Sequence, residues 1–176
     1  KRYREAQTPD VPDYAAVIDW LVANMPSRET AMAVVHNDYR FDNLVLDVAA
    51  PTRVIGVLDW ELATIGDPLM DLGNTLAYWV EAGDEPAWRK IRRQPTHLPG
   101  MPTRRELVSR YAKKTGRTIP SLDYYLAFGL FRLAVIAQQI YYRFFHGQTQ
   151  VPEFGSFGAI VRLLEKRTAE AIESRW

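Results

Sequence analysis

The chain has no cysteine, three histidines and almost no charge imbalance, with 22 lysines and arginines against 21 acids and a net charge of +1. Without cysteine, disulfides and thiolate metal sites are excluded. Balanced charge removes any global pull towards nucleic acid or a membrane surface, so neither is an expected partner. There is no internal repeat and no low-complexity tract. No signal peptide is read at the start, and a reducing, cytoplasmic setting is the expectation. The first residue is Lys1 and not Met, so the beginning reads as a cut. No glycine-rich loop precedes Asp38, and Lys1, outside any strand pattern, is the only lysine before it.

What is present suits one globular domain: 176 residues, 47% of them hydrophobic, with five tryptophans and nine tyrosines. The longest apolar stretch, Ser121 to His146, is interrupted by Arg132, Gln138 and Gln139. Those groups are costly in lipid, so a buried helix is the better reading than a membrane span.

Two stretches organise the rest. Val34 to Leu46 is an apolar run, a polar loop and a second apolar run, and the loop reads H-x-D-x-x-x-x-N from His36 through Asp38 to Asn43. Val54 to Glu61 is a β-branched run that delivers Asp59 at its end. Phosphoryl transfer to a hydroxyl uses such a set: a carboxylate to take the proton, and an amide oxygen with a second carboxylate to hold Mg²⁺ on the phosphates. Magnesium prefers oxygen ligands and takes few of them from protein.

Around these stretches the apolar spacing predicts a helix from Asp13, carrying Tyr14, Val17, Ile18, Leu21, Val22 and Met25 and ending before Pro26. Leu44–Asp47 and Arg53–Leu58 read as a hairpin turning at Ala50-Pro51-Thr52. Asp67-Pro68 opens a helix as cap and first residue, with Gly83 as its stop. A basic helical fragment follows at Trp88 to Arg93. Thr103 to Glu106 fits a capping box, for a helix that stops at Gly116. Helices over Ser121–His146 and Ser156–Arg175 complete the chain. The expected class is α+β and mainly helical, with a small β-hairpin among about six helices.

His36-Asn37-Asp38-Tyr39-Arg40-Phe41-Asp42-Asn43, then Leu58-Asp59-Trp60-Glu61, then Gly66-Asp67-Pro68-Leu69-Met70-Asp71-Leu72 resembles the aminoglycoside-phosphotransferase family. Within it, the resemblance is to the branch of kinase-like domains attached to some acyl-CoA dehydrogenases. It implies an ATP- and Mg²⁺-dependent phosphotransferase acting on a hydroxyl of a small molecule. It also implies that residues 1–176 form the C-terminal lobe, with an N-terminal, ATP-covering lobe outside them. The fragment alone is expected to be close to inactive.

By the same resemblance Asp38 is the base, and Asn43 and Asp59 hold metal and nucleotide. His36, Arg40, Glu61, Asp67 and Asp71 are supporting residues. Each has a plainer reading too. Asp38 could cap a turn, Asn43 could bond its own backbone, and Asp59 could pair with an arginine. His36 is expected to brace the loop through its ring, towards Asp67 or Asp71. Arg40 could touch phosphate or substrate, or pair with Asp42. Glu61 lies near the metal or is simply exposed.

The family most often has Gly at position 37, a mild change to Asn if the backbone there does not need positive φ. Trp60-Glu61 stands where protein kinases have Phe-Gly, which points to small-molecule substrates. Arg89, Lys90, Arg92, Arg93, Arg104 and Arg105 read as a solvated face before an anion site. Their prevalence after Gly83 argues against a polycationic drug as acceptor. Two other functions fit the sequence less well: a non-catalytic module that binds a ligand or protein, and a metal hydrolase using Asp38, Asp42 and Asp59.

Overall fold

Helices α3 (Pro68–Tyr78), α6 (Asp123–Phe145) and α7 (Phe157–Glu173) form the core of the protein. The structure, a computed structural model, describes residues 1–119 and 121–174. Over these the order is α1 (Arg2–Glu5), α2 (Ala15–Ala23), β1 (Ala33–Val35), β2 (Leu44–Leu46), β3 (Val54–Val57), β4 (Thr64–Gly66), α3, α4 (Pro86–Lys90), α5 (Arg104–Thr115), α6 and α7. The predicted end of the last helix at Arg175 lies outside the described residues. As expected, the protein is mainly helical.

The long apolar segment forms α6, which packs against both α3 and α7. Leu126, Leu130 and Ala134 are buried among α3 and α7, and Gln138 donates from its Nε2 to the Ala6 carbonyl at 2.7 Å. No helix among the described residues is long and apolar enough to cross a membrane. Two glycines set how closely α3 and α6 cross. A Cβ on Gly129 would lie 2.7 Å from the Gly73 carbonyl oxygen, and one on Gly73 only 2.3 Å from that of Tyr125. Side chains do not fit there.

The predicted hairpin is present as β2 and β3, antiparallel with Leu44 opposite Val57. A second two-stranded sheet, absent from the sequence reading, pairs β1 with β4 through Val34 opposite Ile65. β4 is three residues long and both Thr64 and Ile65 are exposed, so it shows no burial pattern. The short α1 is also additional, its Tyr3 ring packed 4.7 Å from that of Tyr14. Tyr14 holds a positive φ of 58° at the start of α2. Burial of its ring and a 2.6 Å bond from its hydroxyl to the Val161 carbonyl impose that conformation on an aromatic residue.

Two predicted boundaries are corrected. α2 buries Val17 and Leu21, but Val22 lies on its exposed face and the exposed Met25 lies beyond its end at Ala23. α3 stops at Tyr78 and not at Gly83. Beyond it the backbone finds other partners: Val80 N–H donates to the Thr96 hydroxyl, which donates back to the Val80 carbonyl. Arg104 donates to the Trp79 carbonyl at 2.6 Å. Both predicted caps are present. Asp67 accepts from Leu69 N–H, and Thr103 and Glu106 form the reciprocal box.

Candidate active site

The H-x-D-x-x-x-x-N loop lies across one face of α3, and three side chains of that helix hold it, two by its backbone and one by the Asn37 side chain. Asp71, Asn74 and Thr75 share this face because residues three and four apart are neighbours on a helix. Asp71 accepts the His36 and Asn37 amides on its two oxygens, at 2.5 and 2.6 Å. Thr75 donates to the Tyr39 carbonyl at 2.8 Å, and Asn74 reaches the Asn37 side chain at 3.4 Å. The Asp71 bonds are charge-assisted, the strong kind.

Asn37 has a φ of 65°, so the backbone does require the left-handed region there. Asparagine serves in place of glycine because its side chain donates to the Leu62 carbonyl at 2.9 Å.

His36 braces the loop, but not towards the acids expected. Its buried ring donates from Nε2 to the Leu58 carbonyl at 2.7 Å and accepts the Asp38 amide on Nδ1 at 3.2 Å. One neutral imidazole therefore ties the peptide of Asp38 to the residue before Asp59. Trp60 packs on the same ring at 4.7 Å. It is the His36 backbone, not the ring, that meets Asp71. Asp67 is elsewhere: it accepts from Thr30 N–H and hydroxyl, Leu69 N–H and the Tyr125 hydroxyl, joining the chain before β1 to α3 and α6. Burial would raise its carboxyl, but those bonds hold it below the usual carboxylate range.

Asp38 receives Arg40 Nε and Asn43 Nδ2, both at 3.2 Å on Oδ2. Asn43 Nδ2 also donates to the Asp38 carbonyl at 2.8 Å. The amide nitrogen of Asn43 is thus committed to Asp38, which leaves Oδ1 as its ligand oxygen. The pairing of β2 with β3 extends to a 2.8 Å bond from Leu58 N–H to the Asn43 carbonyl, which brings Asp59 beside this asparagine. Asp59 adopts φ 64°, ψ 53° at the head of a 3-10 turn, and its exposed carboxylate forms no ion pair among the described residues.

An amide oxygen and one free carboxylate fit a magnesium ion that takes its remaining ligands from phosphates and water. No group of three or more His, Cys, Asp and Glu able to hold a metal occurs among the described residues, so an all-protein cage is not formed. Asp42 is turned away onto Arg40, at 3.3 Å.

Arg40 therefore pairs with both Asp38 and Asp42, while its guanidinium lies 5.2 Å from the centre of the Tyr78 ring. Burial, and then the Asp38 charge, push the Tyr78 phenol above its ordinary pKa. Arg40 and Tyr78 also line a cleft of about 480 Å³, walled by Leu133, Ile136, Ile140, Phe157 and Ile160, with Arg92 and Arg93 on it. Glu61 is exposed on the 3-10 turn after Asp59. Arg104 leaves the predicted basic face altogether: it is buried against Asp84 at 2.6 Å and Glu81 at 3.3 Å. Sequence reasoning also missed Gln94, whose Oε1 accepts the Phe41 amide at 2.9 Å.

A small hairpin and a braced loop on a helical body, with base and metal-ligand candidates converging at their meeting point, define a kinase-like fold. The comparisons agree. The profile of the Phosphotransferase enzyme family matches residues 1–107, and the chain belongs to that family. The mouse (Mus musculus) acyl-CoA dehydrogenase family member 10 is 38% identical over 152 residues, 84% of this chain and 14% of that protein. The human family member 11 is 32% identical over 166 residues, 93% of this chain and 21% of that protein. The crystal structure of a candidate aminoglycoside phosphotransferase from Ralstonia eutropha superposes with a TM-score of 0.82 at 30% identity, covering 99% of this chain and 53% of that one. The chain thus spans about a fifth or less of these curated relatives and about half of the solved neighbour.

Proposed function

We propose that the chain carries the catalytic and acceptor-binding part of an ATP- and Mg²⁺-dependent phosphotransferase that acts on a small-molecule hydroxyl. The observation that carries this reading is the junction of Asp38, Asn43 and Asp59. One amide is shared between the first two, and one imidazole links the loop to the strand end that bears the third. In the reaction the acceptor oxygen forms a bond to the γ-phosphorus, the bridging P–O bond to the β-phosphate breaks, and the hydroxyl proton passes to Asp38. Asn43 Oδ1 and Asp59 would hold Mg²⁺, which when bound neutralises charge on the phosphate oxygens. Arg40 keeps the Asp38 carboxylate in one orientation from the acceptor side.

The cleft beside Arg40 supports an acceptor with an apolar body and an anionic group. A hydroxyacyl thioester of coenzyme A, whose phosphates are anionic, meets both demands, and the names of the acyl-CoA dehydrogenase relatives are in keeping with it.

On the same reading residues 1–176 are the larger lobe, and an ATP-covering lobe lies outside them. Val34 and Ile65 on the β1–β4 pair, with Val54, Ile55 and Leu58 on or next to β3, expose apolar surface beside the site, which suits a covering lobe.

The test is transfer from γ-labelled ATP by the full-length natural protein. Asp38→Asn should lower kcat by ~10²–10⁴-fold while nucleotide binding is retained, the range for losing a general base. An unchanged kcat would take the base role away from Asp38, and no transfer by the natural protein would leave the non-catalytic binding module as the better reading.

A further inference from the structure

The segment after α4 supplies Arg92 and Arg93 to the cleft, and two buried polar side chains fasten it to two different elements. Among the described residues the side chain of Thr96, 2% exposed, bonds only to Val80, its hydroxyl donating to the carbonyl at 2.8 Å and accepting the amide at 3.0 Å. It ties the segment to the end of α3. Gln94, 4% exposed, reaches the catalytic loop instead. Its Oε1 accepts the amide of Phe41, 53 residues away in sequence, at 2.9 Å.

Phe41 begins the 3-10 turn Phe41–Asn43, which is closed by Asn43 N–H on the Arg40 carbonyl at 3.0 Å. The turn decides where the Asn43 amide sits relative to Asp38. The first amides of any helical turn lack partners within it, so an outside acceptor fixes the angle at which it starts. Only an oxygen can accept this N–H, so the orientation of the Gln94 amide is determined. Its Nε2 is left buried and without a hydrogen bond among the described residues. Methionine or leucine would fill that space without stranding a donor, so what the glutamine adds is the contact to Phe41.

We propose that Gln94 is a positioning residue that couples the acceptor-cleft segment to the turn carrying Asn43. The coupling rests on the functional reading above only for the role of Asn43; the mechanical link to Phe41 does not.

Gln94→Met and Thr96→Val in the full-length protein separate coupling from simple support, because each loosens the same segment and only the first touches the loop. Amide hydrogen exchange read over residues 40–44 should quicken about tenfold in Gln94→Met and stay unchanged in Thr96→Val. Mn²⁺ binding in the presence of ADP, followed by electron paramagnetic resonance, should weaken severalfold in the first variant alone. In transfer assays kcat should fall and the KM for ATP hold.

Equal changes in both variants would reduce Gln94 to a structural support, and unchanged exchange at residues 40–44 would overturn the proposal. If the unsubstituted protein bound no Mn²⁺ with ADP, the reading of Asn43 would fail while the exchange result still decided the coupling.

Discussion

Asn37 shows what a single backbone angle demands. Its φ of 65° costs a non-glycine residue roughly 1 kcal/mol, and its side-chain bond to the Leu62 carbonyl offsets part of that. Asn37→Ala keeps the strain and loses the bond, so it should destabilise the fold by about 1 kcal/mol in urea titration. Asn37→Gly loses the bond but also the strain, and should cost about half as much.

Asp67 gives a pH-dependent case. Its folded pKa lies below the ordinary 3.8, so its stabilisation is complete above that value and is lost as pH falls through the lower, folded one. Asp84, held down against its own burial by Arg104, the Glu81 amide and Arg167, follows the same sign. Asp67→Asn should therefore be less stable than the natural protein at pH 7, and the gap in urea midpoint should narrow below about pH 4. That Asp38, Asn43 and the strand end before Asp59 would meet was legible because all three residues sit in short local motifs. The bonds of Gln94 and Thr30 were not, since each joins positions more than thirty residues apart that no local pattern relates, and of the Asp71 contact with His36 the partner was read but not the backbone amide that makes it.

At the scale of elements, boundaries followed the sequence where the capping chemistry is local and departed from it where a distant group supplies the partner. Asp67-Pro68 and the Thr103–Glu106 box start their helices as read, and Gly116 closes α5 at φ 68°. α3 ends five residues before its glycine because Thr96 and Arg104 take up the next backbone groups. β4 escaped notice because its pairing with β1, not its own pattern, makes it a strand.

The α3–α6 crossing is where this layer touches function, since α3 carries the three side chains that hold the loop. Gly129→Ala would put a methyl group 2.7 Å from the Gly73 carbonyl oxygen and force the helices apart. Overpacking of this kind costs about 1–3 kcal/mol, which a lowered thermal midpoint would show. The displacement should also weaken exchange protection of the His36 and Asn37 amides.

For the whole molecule, the hairpin and the α3 face bring together residues from 36 to 78, and the segments after α3 build the cleft. The expected class and helical majority were legible from periodicity and composition, whereas the cleft was not, because its walls come from α6 and α7 and the segment after α3 at once. The apolar surface on β1, β3 and β4 lies beside the site rather than over the cleft.

The role proposed for Asn43 and Asp59 is phosphoryl transfer from a nucleotide to a hydroxyl. Phosphorus-31 NMR of the full-length protein with ATP, Mg²⁺ and a hydroxyacyl thioester tests it most directly, run beside Asp59→Asn. A phosphate monoester should form with the natural protein, need Mg²⁺, and disappear with the variant. ATP-derived product formed equally well by Asp59→Asn, or inorganic phosphate alone in every reaction, would contradict it.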